Sequence, residues 1–195
     1  MARQPRIEGA GLIHHVTGHS NPEVDAFPDD VAIRSFLALL ANVASEQSWS
    51  IFAYCVLSTH YHLLLETEQP NLGVGMRALH GLHASRLNHR LGRPGRLWRD
   101  RFHNRVVTSG AHVVRAAAYI DVNPVAAGLC SNAGDWPWSS YRANAGLAHP
   151  LPWHRVHRVY DHMGAAPADA PRVYREMVAA SVEVVRARQQ GALGA

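Results

Sequence analysis

Lysine is missing from this chain: all 19 of its basic residues are arginine. Thiols are nearly missing too. Cys55 and Cys130 are too few for a disulfide framework, and Cys55 lies inside an apolar run, where cysteine serves as a small core residue. No apolar run approaches the roughly 18 residues of a membrane span. The opening MARQPRIEGAG lacks the apolar segment of a secretory signal. These absences point to a reducing cytoplasm with no membrane partner. Charged residues form 17% of the chain against 47% hydrophobic, a balance that excludes wholesale disorder. The 195 residues suffice for one domain with a sizeable core and an extension.

Acids are also scarce where arginines are dense. Residues 77–115 hold nine arginines and one acid, Asp100, hence +8; residues 1–70 hold three arginines and eight acids, hence −5. Arginine forks onto phosphate oxygens and stacks on bases. Such a block is the footprint expected of a nucleic-acid contact, while composition alone leaves a solvated basic face equally open.

Residues 51–66, IFAYCVLSTHYHLLLE, read as two short apolar runs split by Ser58-Thr59. Their bounded length and aromatic or branched content argue for two buried strands. Alternation then places His60 and His62 side by side on one face and turns Tyr61, Leu63 and Leu65 into a core. Two neutral imidazoles aimed at one point can chelate a divalent metal, given a further ligand.

The remaining elements follow in order. Residues 11–17 form a first strand with His15 and Thr17 on one face. Pro28-Asp29-Asp30 opens a helix running to about Ser45. Asn71 caps a helix whose stripe is Leu72, Met76, Leu79 and Leu82, and which stops near Gly92. Residues 97–107 read as a fourth strand with Arg99, Arg101 and Arg105 on one face. The order β-α-β-β-α-β predicts an α+β, ferredoxin-like antiparallel sheet. Its open face suits a ligand, as in RNA-binding modules of this arrangement.

A further helix starts near residue 110, buries Val113, Ala117 and Ile120, and ends at Asn123 because Pro124 follows. His112, Arg115, Tyr119 and Asn123 fall on another face. Tyr119 and Asn123, one turn apart, can act together. An activated tyrosine hydroxyl is a nucleophile, and an Asn oxygen suits Mg²⁺ or Mn²⁺. Packing and capping are the ordinary alternatives for these two residues. Trp136, Trp138, Tyr141 and Trp153 pin a Pro/Ser/Gly-rich loop or stack on bases. Val173, Met177, Ala180 and Val184 mark a C-terminal amphipathic helix after Pro171.

STHYHLLLE resembles the His-hydrophobe-His motif of the HUH endonucleases. AAYIDVNPVAAGL resembles the YIxxNPVxAGL segment of REP-associated tyrosine transposases. HHVTGHSN, NHRLGRPGRLWRDRF and WPWSSYRA support that likeness in the same order, over roughly residues 12 to 142. The resemblance implies a transposase or domesticated relative that nicks and rejoins single-stranded or hairpin DNA through a 5′-phosphotyrosine. His60, His62 and Asn123 would hold Mg²⁺ or Mn²⁺, and Tyr119 would be the nucleophile. Arg86, Arg99, Arg101, Arg105 and Arg115 are the expected DNA contacts, and the protein would work as a monomer or homodimer. Expected organisation is a flexible arm over 1–10, the catalytic domain over 11–130, with its added nucleophile-bearing helix, and a helical extension over 131–195. Two departures stand out. Thr59 replaces the family's Asn before the first His, which would loosen the turn orienting His60. His19-Ser20 replaces Arg-Gly, which removes an expected DNA contact. A binding-only descendant of the same fold and an unrelated metallohydrolase are the alternatives.

Overall fold

The computed structural model describes residues 7–193; residues 1–6 of the expected arm lie outside them. Just beyond, the Glu8 carboxylate accepts a bond from the Gly73 amide at 3.0 Å, and Gly9 accepts one from Thr67 at 3.1 Å. The chain divides into two compact units. One comprises Met1–Ile51 with Val56–Val107, the other Phe52–Cys55 with Thr108–Ala195.

The first unit carries β1 (Leu12–His19), α1 (Asp30–Glu46), β2 (Trp49–Val56, shared with the second unit), β3 (His60–Thr67), α2 (Leu72–Leu91) and β4 (His103–Val107). The sheet order is β2-β3-β1-β4, with β1 antiparallel to β3 and to β4. This is the α+β, ferredoxin-like arrangement that the element order predicts. Asp29 opens α1 by accepting the Ala32 amide at 2.9 Å, which satisfies one of the helix's unpaired donors. Tyr61 is fully buried on the helix side of the sheet. Its ring lies against Phe36 of α1, and its hydroxyl pairs with His80 Nε2 of α2 at 2.6 Å.

Three expectations for this unit change. Asn71 precedes α2 but makes no capping bond; it accepts from the Trp49 indole and donates to the Gln47 carbonyl, both at 2.9 Å. Leu82 is 46% exposed, and His83 takes the inward position after Leu79, because the helical period carries the stripe to 83 and 87. The last strand begins at His103, not at 97. Residues 97–99 meet the end of β1 only through an isolated bridge, Ser20 to Trp98, and Leu97 and Trp98 are both buried. Trp98 instead stacks on His80 with centroids 4.0 Å apart and donates to the His80 carbonyl at 3.0 Å. Arg99 and Arg101 therefore lie outside the strand, and Arg105 alone of the three lies on it.

The second unit holds α3 (Gly110–Ala126), a 3₁₀ turn (Ala133–Asp135), α4 (Tyr141–Asn144), α5 (His157–Tyr160) and α6 (Ala170–Leu193). Contrary to expectation, α3 does not stop at Asn123. It continues through Pro124 and closes where Leu129 bonds back to the Pro124 carbonyl, with Gly128 at φ 70. The proline removes one helical donor; burial of Pro124 and Val125 and the left-handed glycine hold the last turn in place. On α6 the buried positions are Ala170, Tyr174, Val178 and Val182, while Val184 is 52% exposed, so the inward stripe differs from the expected one. The Tyr174 hydroxyl fixes that face by donating to Asp121 Oδ2 at 2.6 Å. Trp153 packs on Tyr54, with centroids 5.2 Å apart. Among the described residues, no helix is long and apolar enough to cross a membrane.

Asp121 is the polar centre of this unit. It is fully buried on α3 and accepts from Ser140 at 2.6 Å, from Tyr174, and from Asn144 at 3.4 Å. Burial pushes its carboxyl up to about 7, against these bonds, which favour the ionised form. The folded value thus lies above the unfolded one of about 3.9. Stability from this group is full below about pH 4, declines as pH rises, and levels off above about pH 7. Asp121→Asn can keep two of the bonds and donate to Ser140. At pH 8 it should be more stable than the parent by on the order of 2–4 kcal/mol, with near parity at pH 4. Urea melts at both pH values check this; an unchanged pH dependence would contradict it.

Candidate functional site

Alternation along β3 does what the sequence predicts. His60 and His62 stand on one sheet face with ring centroids 5.3 Å apart, and Tyr61 points the other way. His60 is half-buried, whereas His62 is 6% exposed. Burial, aided by the neighbouring histidines, pulls His62 down to about 3. His60 is also lowered, by burial and then by His19. Both imidazoles are therefore neutral at physiological pH, the state a cation requires of a histidine ligand.

Each ring is anchored through Nδ1. Thr59 Oγ1 lies 3.0 Å from His60 Nδ1, and His15 Nε2 lies 3.1 Å from His62 Nδ1. The threonine at 59 thus contacts the His60 ring directly. Hydrogen bonding of the second ring nitrogen is what orients a metal-binding histidine and sets its tautomer. It leaves Nε2 as the nitrogen each ring would offer.

β1 contributes residues that sequence reasoning did not assign to the site. Its register sets His19 opposite His60, Thr17 opposite His62, and His15 opposite Leu64. On the other side of β1, His103 faces Thr17 and Arg105 faces His15. The His19 ring stacks on His60 at 4.9 Å and 17°. Burial, and then the charges of Arg99 and His103, lowers His19. The signal was available: in the ferredoxin-like order the first strand neighbours the third, so His15, Thr17 and His19 had to share the face of His60 and His62.

The expected DNA-binding arginines spread over several places. Arg105 lies on the histidine face, and Arg99 is near it and 3.7 Å from Asp100. Arg101 lines a separate cleft beside α2, and Arg86 is exposed on α2 itself. In the second unit, Arg115 and Tyr119 are exposed on α3, Tyr119 by 56%. Asn123, one turn on, is only 9% exposed and donates its amide to the Tyr119 carbonyl at 2.8 Å. That bond leaves Asn123 Oδ1 as the atom for a ligand. The structure brings His60 and His62 together in one unit and Tyr119 and Asn123 together in the other.

Among the described residues, no three His, Cys, Asp or Glu side chains are gathered so as to hold a metal ion. Within the first unit, two anchored neutral imidazoles are what a cation would find.

The sequence matches no family profile and no curated protein. The fold does find likenesses among solved structures. A REP-associated tyrosine transposase bound to a REP hairpin superposes with a TM-score of 0.65 at 20% identity, covering 80% of this chain and 92% of that one. The chain has the fold of that protein. A candidate transposase from Deinococcus radiodurans R1 aligns with a TM-score of 0.42 at 21% identity, over 62% of this chain and 96% of the other, too weak a likeness to carry an argument.

The depressed His62 value makes a prediction for the metal-free protein. Followed by ¹⁵N NMR from pH 8 down to pH 4, the His62 imidazole should stay neutral, with its proton on Nδ1. Protonation near pH 6 would contradict the burial and the anchoring by His15.

Proposed function

We propose that this protein nicks and rejoins single-stranded or hairpin DNA in a metal-dependent reaction, with Tyr119 as nucleophile, as a transposase or a domesticated relative. The observation that carries this reading is the pair of neutral, Nδ1-anchored imidazoles, His60 and His62, on the sheet face opposite Tyr61. Support comes from the exposed Tyr119 one helical turn before Asn123, and from a shared fold with a transposase solved on a REP hairpin.

In this reading His60, His62 and Asn123 hold Mg²⁺ or Mn²⁺. When bound, the ion supplies Lewis-acid stabilisation of charge on the scissile phosphate. The Tyr119 oxygen attacks phosphorus, the P–O3′ bond breaks, the phenolic proton leaves to solvent, and the departing 3′ oxygen is protonated. The products are a 5′-phosphotyrosine and a free 3′-OH. Because the ester is exchanged and not hydrolysed, a second 3′-OH can reverse the step and rejoin a strand without ATP. Asn123 holds the Tyr119 turn through its amide. Arg105 and Arg99, near the histidine face, offer phosphate contacts.

The test is divalent-ion-dependent nicking of a DNA hairpin with single-stranded flanks. Tyr119→Phe removes one exposed hydroxyl, so the melting temperature should hold within about 2 °C while nicking falls to background. His60→Ala should also abolish nicking; it is the cleaner variant, because His62 is buried and its removal opens a hole. Thr59→Ala, which removes only the ring anchor, should cost about 10- to 100-fold. Full nicking by Tyr119→Phe would refute the reading, and DNA binding without nicking by the parent protein would leave a binding-only descendant.

A further inference from the structure

A second concavity lies on the other side of the sheet from His60 and His62. Tyr61 points to that side and bonds His80, one of the cleft's lining residues. The cleft measures about 530 Å³ and sits wholly in the first unit, between α2 and residues 95–102. Met76, Leu97, Trp98 and Phe102 contribute buried apolar surface to its lining, and the stacked Trp98–His80 pair braces it. Arg77, Arg96 and Arg101 are exposed along its rim. Among the described residues none of these three is ion-paired, whereas Arg90 is held by Asp29 and Arg99 lies beside Asp100.

One wall is opened by an absent side chain. Gly81 sits in mid-helix on α2 and is exposed, and a Cβ built there would meet nothing within 4 Å. Glycine destabilises a helix interior relative to alanine, so packing gives no reason for it here. A side chain placed there would extend into open space beside the cleft.

We propose that this cleft receives one unstacked base of single-stranded DNA, with the adjoining phosphate on Arg77, Arg96 and Arg101. The proposal rests on the DNA reading above and adds to it a base subsite remote from the histidine face. The size and mostly apolar lining match those of sites that bury small planar ligands. A base extruded from a strand is read in such a pocket by apolar and stacking contacts. Charge decides against a peptide side chain. Glu8 and Asp100 also line the cleft, but the Glu8 carboxylate takes the Gly73 amide at 3.0 Å and Asp100 lies 3.7 Å from Arg99; an apolar anchor would fill the floor yet leave the three rim arginines in excess, whereas a nucleotide supplies both halves.

The probe is a DNA hairpin carrying a single-stranded extension, with an abasic analogue stepped along that extension. Gly81→Leu fills the space and removes a mid-helix glycine, so its melting temperature should hold or rise; Gly81→Ala is the smaller companion. The parent should lose about tenfold in affinity when one particular position is abasic. Gly81→Leu should bind the intact probe about tenfold more weakly and be indifferent to that abasic position, with Gly81→Ala between the two. Equal binding by parent and Gly81→Leu, with no position-specific abasic loss, would overturn the subsite and leave the DNA reading standing. The same result accompanied by lost self-association in Gly81→Leu would give the cleft to a protein. Failure of the parent to bind any probe would overturn both.

Discussion

The first unit depends on the burial of one side chain, Tyr61. Its ring is fully enclosed and lies against Phe27, Phe36, His80 and Trp98, and its hydroxyl is bonded to His80 Nε2 at 2.6 Å. Burying a ring of this size against other aromatics outweighs any single polar contact on the sheet. β1 accommodates it with Gly18, its register partner, where a Cβ would come within 2.5 Å of the tyrosine ring. Tyr61 therefore fixes which face of β3 is which. A slip of one residue would turn His60 and His62 to the helix side of the sheet and Tyr61 away from it.

The second unit is held by a different kind of constraint. Asp121, two residues after Tyr119, gathers Ser140, Asn144 and Tyr174 around one buried carboxyl. Ser140 in turn bonds both the amide and the carbonyl of Tyr54, at 2.9 and 3.2 Å. Such a network favours one arrangement, because breaking it would strip a buried carboxyl of its hydrogen-bond donors. It sets the rotation of α3, and so decides that Tyr119 faces out while Asn123 is nearly enclosed.

Much of this was legible in the sequence. The β-α-β-β-α-β order follows from hydrophobic periods and turn residues, and the outward pair His60 and His62 follows from strand alternation. What could not be read were the side chains whose roles are tertiary. Asn71 was chemically able to cap α2, yet Trp49 offered it a better partner. Leu82 yielded the inward position to His83, which bonds the Ala26 carbonyl at 2.8 Å. Pro124 reads as a helix stop, but its own burial and Gly128 carry α3 one turn further. The aromatic pair Trp98 and Phe102 read as strand formers, yet both turned inward around His80. His15 and His19 lay within reach of reasoning, since they required only the strand neighbours and not the contacts. Nothing in the local sequence marked Asp121, whose partners lie far along the chain.

The account stands or falls on which oxygen takes the phosphoryl group. Mass spectrometry of peptides from protein trapped on a suicide oligonucleotide, in the presence of Mn²⁺, addresses this directly. The account predicts a single phosphoester, carried by Tyr119 and bonded to the 5′ side of the cleaved strand. An adduct mapped to Tyr141, Tyr160 or any other residue, or cleavage that leaves no adduct at all, would contradict it.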